Sequence, residues 1–284
     1  MIEEKENRMG VMPVGKLLFS MSTPMVISFL VQSLYNIVDS IFVARYSPDA
    51  LAAVSLAYPI QILMIAVSVG TGVGVNALLS RLLGEGKKDR AKVTADNAVL
   101  LAIIASIAFA IFGAIGTKAF FNAQTNSDSI RSLGYSYLSI VSIFSFGLIL
   151  EVTYERILQS TGKTIYNMIT QGIGAIINII LDPILIFGLL GAPKMGVAGA
   201  AIATVAGQIV AMILSFVFNM KYNEEVDITF GKHIFKPDFI IIKDIYKVGI
   251  PSIAMQSMST IMMLGLNKIL VRYSDMAVNV LGIY

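Results

Sequence analysis

Two acids stand in apolar surroundings with no basic residue near them. Asp39 lies in the apolar run 17–44 and Asp182 in the run 164–190. An Asp inside a membrane helix costs roughly 2.5–3.5 kcal/mol on insertion scales, so it turns to the protein interior and is a functional candidate by default. Each acid has polar companions on one helical face: Gln32, Tyr35, Asn36 and Asp39 at i, i+3, i+4, i+7, and Gln171, Asn178 and Asp182 at i, i+7, i+11. Thr204 and Gln208 add an i, i+4 pair in the run 196–220. Pro183 directly follows Asp182, removing a helical hydrogen bond and freeing the Ile179 carbonyl. Two carboxylates with amide and hydroxyl neighbours in a low dielectric can share a proton or hold a sodium ion. Simple hydrogen-bonded ties between helices are the plainer reading, but two acids without a basic partner are costly as ties. Glu151 and Glu155, at i, i+4 near the end of the run 131–155, either pair with Arg156 at the interface or line a cavity; the sequence leaves both open.

Composition says what must position these side chains. Of 284 residues 56% are apolar and 14% charged, with a mean hydropathy of +0.78. Soluble domains carry roughly 25% charged and 45–50% apolar residues, so the chain reads as an all-α, polytopic membrane protein. A helix needs about 20 apolar residues to cross the hydrocarbon core. Seven runs qualify: 17–44, 51–80, 94–117, 131–155, 164–190, 196–220 and 249–272. Turn or charge signals separate them, such as Ser47-Pro48-Asp49 and Gly84-Glu85-Gly86-Lys87-Lys88. The first run is too long for a signal-peptide core. Lys and Arg in alternate connections number fifteen on the N-terminal side against four on the other, placing the N-terminus in the cytoplasm of a cell-membrane protein.

With alternating helix directions, Asp39, Asn178, Asp182 and Thr204 come to similar depth in the outer half of one six-helix unit. Asp39 is about 7 Å from the end of its run at 1.5 Å per residue. No Cys and a single histidine, His233, exclude disulfide frameworks, zinc sites and Cys/His nucleophiles. Without a nucleophile–base or metal constellation in the helices, neither an enzyme nor a resident cofactor is expected. A net charge of +3 implies no nucleic-acid partner.

A shift of 227 residues superposes Pro24 on Pro251 and Arg45-Tyr46-Ser47 on Arg272-Tyr273-Ser274. A six-helix repeat restores the same orientation, so the two units are parallel. The expected organisation is therefore a six-helix unit over 1–220, a cytoplasmic linker over 221–248, and over 249–284 the first helix of a second unit. The rest of that unit, on the same polypeptide, is the expected partner together with membrane lipids. Within the linker, Asp238 to Lys247 mixes apolar and charged residues and reads as an interfacial amphipathic helix on the inner leaflet, a cytoplasmic linker with no membrane contact being the plainer alternative.

Tyr35-Asn-Ile-Val-Asp39, Asn178-Ile-Ile-Leu-Asp182-Pro183 and Gly199-Ala-Ala-Ile-Ala-Thr204 together resemble the multidrug and toxic compound extrusion (MATE) transporters, as do Leu51-Ala-Ala-Val54 and Arg156-Ile-Leu-Gln-Ser-Thr-Gly-Lys-Thr164. The resemblance covers nearly the whole chain and corresponds to the family's first lobe plus helix 7. It implies twelve helices in two lobes and export of cationic, amphipathic drugs in exchange for protons or sodium. It also implies a cation site at Asp39, Asn178, Asp182 and Thr204, with Tyr35 beside it. Gln32, Tyr35, Asn36, Gln171, Gln208 and Glu155 are the candidate substrate-cavity residues. The connection Gly191-Ala-Pro-Lys194 departs from the family pattern.

A lipid-linked oligosaccharide flippase of the same broad superfamily is the alternative, but inward-facing Lys or Arg for a pyrophosphate are missing at mid-depth. Gly162-Lys163-Thr164 ends like a phosphate loop but lacks the earlier glycine and the preceding strand. Gly70, Gly72 and Gly74 read as small residues for close helix packing. Fifteen Met suit a deformable binding surface, with core and lipid contacts accounting for most of them.

Overall fold

The first turn signal in the sequence marks the first break in the structure. The Ser47 hydroxyl accepts the Ala50 N–H at 3.0 Å, and Pro48 sits in the first turn, where its missing N–H has no partner to lose. Helix α1 (Val14–Tyr46) therefore ends and α2 (Pro48–Gly84) begins within two residues. This computed structural model describes residues 10, 12–226 and 236–270. It continues with α3 (Lys88–Ile111), a π-helical turn (Phe112–Gly116), α4 (Thr117–Gln124), α5 (Asp128–Ile143), α6 (Phe146–Ser160), α7 (Thr164–Phe187), α8 (Val197–Tyr222) and α9 (Phe239–Leu270). Among the described residues there is no strand.

Five of these segments are long and apolar enough to cross a bilayer, or six when α5 and α6, bent by 42°, count as one span. α9 is not in that set, and the seventh run of the sequence, 249–272, extends past the described residues. Among the described residues, then, five of the expected crossings are present, or six with the bent pair as one, and the seventh run lies partly outside them. The bend in the fourth was not foreseen. Ser145 leaves the regular ladder there, its N–H donating to Ser142 at 3.3 Å, while its hydroxyl reaches the Ser106 carbonyl at 3.5 Å. Two residues on, Gly147 lets α6 lie against α8, where an added Cβ would sit 3.1 Å from Ile209. Ser and Gly beside one another are a recurrent cause of kinks.

Apolar packing divides the bundle into two cores. On the near side, where α1 begins, Leu79, Leu82, Ala95, Val99, Ile157, Ile241 and Ile245 are buried together. On the far side Val43, Met64, Phe121, Tyr137, Leu138 and Ile186 do the same. Polar side chains of α1, α6, α7 and α8 occupy the layer between them.

The stretch expected as a separate interfacial helix, 238–247, is the beginning of α9. Asp238 caps it, its Oδ1 accepting the N–H groups of Ile240 and Ile241 at 2.9 and 3.2 Å. Its own N–H donates to Asn97 Oδ1 of α3 at 2.9 Å. Ile241 and Ile245, 3% and 0% exposed, join the near-side core instead of the lipid surface. The physical reason is the glycine face of α2. A Cβ on Gly74 would come within 2.1 Å of the Ile245 carbonyl oxygen, and one on Gly70 within 2.4 Å of the Ile253 side chain. Only hydrogens let α9 lie this close. Gly72 likewise makes room for the Arg156 side chain. His233 and the Arg272-Tyr273-Ser274 limb of the internal repeat lie outside the described residues.

Candidate functional site

Three helices bring the sequence-predicted ion-binding residues together. α7 contributes Asn178 and Asp182, which are 2% and 0% exposed, and α8 contributes Thr204 at 9%. In the amide orientation that satisfies both neighbours, Asn178 Nδ2 donates to Asp182 Oδ2 at 3.2 Å and its Oδ1 accepts the Thr204 N–H at 3.2 Å. Thr204 Oγ1 is 3.3 Å from the same amide. α1 brings Asp39 to face Asp182 within hydrogen-bonding reach. Asp39 Oδ1 is buried without a protein donor. Facing carboxylates repel one another at contact distance when both are charged and bare.

α7 and α8 can approach this closely because glycines meet where they cross. A Cβ on Gly207 would lie 2.6 Å from the Gly174 carbonyl oxygen, and one on Gly174 would lie 3.1 Å from that of Gly207. The far ends of α7 and α8 are set by the loop between them. Gly188 ends α7 at φ +76°, and Gly196, at φ +57°, leaves space for the Tyr46 ring at the end of α1. Lys194, in the departure from the family pattern, stands over that ring at 5.3 Å.

A cavity of about 70 Å³ opens beside this cluster. Gln32, Tyr35, Gln171, Gln208 and Glu155 line it, as the sequence predicts. Asn36 does not: it is exposed on the α1 surface. Its i, i+4 offset from Gln32 left it on the edge of the polar stripe, and packing turned that edge outward. Asn178 and Thr204 also line the cavity, so the Asp39–Asp182 cluster borders it.

The open question about Glu151 and Glu155 is resolved by the same cavity. Both line it, at 8% and 5% exposure; Arg156 donates to Gln159 Oε1 at 2.7 Å and acts on Glu155 only through space, without a contact ion pair. Thr170 donates to Glu155 Oε1 at 3.0 Å and Gln171 to Oε2 at 2.8 Å. Asn167 Nδ2 donates to the Glu155 carbonyl at 2.9 Å. Thr170 and Asn167 were not singled out from the sequence. Their signal was their position one residue before, and one turn before, Gln171, on a helix already marked as functional. Lys163 ties the α6–α7 turn to the Tyr222 carbonyl of α8, a structural role that leaves nothing of the phosphate-loop likeness. Among the residues lining the cavity there is no Lys or Arg.

Known proteins share this arrangement of helices. The chain is 32% identical over 203 residues to the FAD transporter of Shewanella oneidensis, covering 72% of this chain and 45% of that protein. It is 28% identical over 284 residues to the multidrug export protein MepA of Staphylococcus aureus, covering 95% of this chain and 59% of that protein. The chain thus spans about half the length of the curated relatives it matches. Its fold superposes on the solved structure of the MATE multidrug transporter DinF-BH with a TM-score of 0.89 at 28% identity, covering 96% of this chain and 60% of that one. The MatE family model matches residues 24–184, more than half of the chain and including Asp39, Asn178 and Asp182. A multi-pass helical bundle with paired acids between its first and later helices, matched by that model, belongs to the MATE family of membrane transporters.

Proposed function

We propose that this chain forms the N-terminal lobe, and the first helix of the second lobe, of an antiporter that exports cationic amphipathic compounds across the cell membrane in exchange for protons or sodium ions. The N-terminus lies in the cytoplasm, and the second lobe completes the transport path. Asp39 facing Asp182, with Asn178 and Thr204 on the same oxygen-rich cluster, carries this reading. A hard monovalent cation is bound by such oxygen ligands, and a proton is held by the same pair of carboxylates. Uptake of the inorganic ion from outside changes the charge of the cluster, and that change is coupled to rocking of one lobe against the other. Emptying and refilling the site on opposite sides makes the exchange.

The FAD transporter among the relatives raises an anionic cargo as the second reading. A cavity lined by two glutamates and no Lys or Arg supports a cation instead, since desolvated like charges repel.

The test is gradient-driven efflux of ethidium in everted vesicles carrying the complete two-lobed protein. Asp39→Asn or Asp182→Asn should abolish efflux while leaving insertion intact. Running the assay under separate proton and sodium gradients identifies the coupling ion. Efflux at wild-type rate in both variants, under either gradient, would refute the coupling role.

A further inference from the structure

Charge gathers at a second place, on the near side, where α2 ends and α3 and α9 begin. A small pocket of about 40 Å³ lies there. Arg81 and Glu85 reach it from the end of α2, Lys87 and Arg90 from the start of α3, and Asp244 from α9. Leu78 and the buried Leu82 and Ile241 give it an apolar floor. Three cations thus face two acids, and the pocket keeps one positive charge. Glu85 is already engaged, by Arg81 at 2.8 Å and Lys87 at 2.6 Å. Asp244 acts on Arg81 through space. Arg90 is exposed, and among the described residues no acceptor reaches its guanidinium. The surplus cation is Arg90.

Depth identifies what this pocket meets. No charged residue stands between Asp49 and Arg81 on α2, or between Lys247 and Lys268 on α9. The pocket therefore lies where the apolar spans stop and charge begins, at the level of lipid headgroups. Val248, one turn past Asp244 on the same face of α9, is exposed and apolar, which suits acyl chains beneath a headgroup. At roughly 10–15 Å³ of such volume per water, the pocket takes a group of headgroup-phosphate size and leaves the chains outside. Arg binds phosphate through its planar fork and Lys as a point charge. Basic pockets between membrane helices take anionic headgroups in this way. The net charge selects among lipids: an anionic headgroup cancels the surplus positive charge, and a zwitterionic one leaves it. A glycerol headgroup also brings hydroxyl donors for the Asp244 carboxylate, to which no described side chain donates.

We infer that the pocket of Arg81, Lys87 and Arg90 binds an anionic glycerophospholipid of the phosphatidylglycerol class, its phosphate at Arg90 and Lys87 and a headgroup hydroxyl at Asp244. Three elements supply the walls, so the bound lipid ties the start of α9 to the end of α2 and the start of α3. The site is separate from the cavity between α1, α6, α7 and α8 and involves neither the cargo nor the coupling ion.

The test titrates the complete two-lobed protein, in a non-ionic detergent, with phosphatidylglycerol, phosphatidylethanolamine or phosphatidylcholine, and counts bound lipid by native mass spectrometry. Phosphatidylglycerol should bind at least about tenfold more tightly than either zwitterionic lipid, and Arg90→Gln should remove most of that preference. Lys243→Gln takes the same charge from an exposed position on α9 outside the pocket, and should leave the affinity within about twofold. Equal affinity for the three lipids, or an equal loss in Lys243→Gln, would reveal only the general attraction of a basic surface and overturns the site. Excess inorganic phosphate should not displace the lipid; displacement overturns the lipid assignment in favour of a soluble anion. Hydrogen exchange reads the tie itself. In nanodiscs, amides from Ile241 to Ile245 should exchange more slowly when phosphatidylglycerol replaces phosphatidylcholine, and Arg90→Gln should abolish the difference. Exchange that ignores the lipid, or slows equally in the variant, overturns the tie.

Discussion

Asn178 donates its amide to the Asp182 carboxylate at 3.2 Å, one helical turn further along α7, while its own carbonyl oxygen accepts the Thr204 N–H of α8 at the same distance. One side chain thus both orients an acid and joins two helices. Replacing it with Ala leaves a fully buried carboxylate without that donor. The expected loss of stability is roughly 1–3 kcal/mol, the cost of an unsatisfied buried group. Thermal unfolding in detergent should show a lowered midpoint, and Asn178→Leu should behave no better. A midpoint equal to that of the native protein would mean that Asp182 has another donor.

The approach of α7 to α8 depends on Gly207. An Ala there sets its Cβ 2.6 Å from the Gly174 carbonyl oxygen and 3.5 Å from Asn178 Cβ. Overpacking of this kind costs about 1–3 kcal/mol, and here it also moves the ion cluster. Gly172→Ala is the control: nothing lies within 4 Å of its Cβ, and Ala is favoured over Gly in a helix by about 0.5–1 kcal/mol. The first should lower the unfolding temperature and the second should not.

Docking of the first turns of α9 against α2 and α3 should fail in two separable ways. Asp238→Ala removes the acceptor of the Ile240 and Ile241 N–H groups and should cost roughly 1 kcal/mol of helix stability, seen as faster hydrogen exchange at those two amides. Gly74→Ala places a Cβ 2.1 Å from the Ile245 carbonyl oxygen and should push the whole segment outward, accelerating exchange through Ile245. Unaltered exchange in Gly74→Ala would show that α9 is held mainly by other contacts.

Outside the membrane, Glu85 lies between Arg81 at 2.8 Å and Lys87 at 2.6 Å. Hydrogen bonds from the Arg81 guanidinium, then from the Lys87 ammonium, pull its carboxyl down from 4.5 to about 2. The folded-state value is the lower one, so its contribution is present above 4.5 and is lost as pH falls toward about 2. Carbon-13 NMR titration of this carboxyl should find the depressed midpoint, and high salt should raise it, because the group lies at the surface where ions screen it. An ordinary midpoint at low salt would show that the ion pairs do not persist in solution.

What the amino-acid sequence determines here is what a bilayer enforces residue by residue. Long apolar runs must be helices, since backbone groups in hydrocarbon have no other partners. Acids in those runs must face inward, which is why Asp39 and Asp182 could be chosen, and helical spacing carried Gln32, Tyr35, Gln171 and Gln208 onto the cavity wall. Tertiary structure decided what depends on a second helix. Asn36 has the right spacing but is exposed, because the width of a buried stripe is set by the neighbour that covers it. Glu151 and Glu155 could have met Arg156 or lined a cavity; both line the cavity, where Thr170 and Gln171 of α7 donate to Glu155. The stretch 238–247 carries an amphipathic pattern that suits a lipid surface or a protein groove equally. The glycine face of α2 supplied the groove, and close packing of backbone on backbone is a property of the pair that neither segment shows alone.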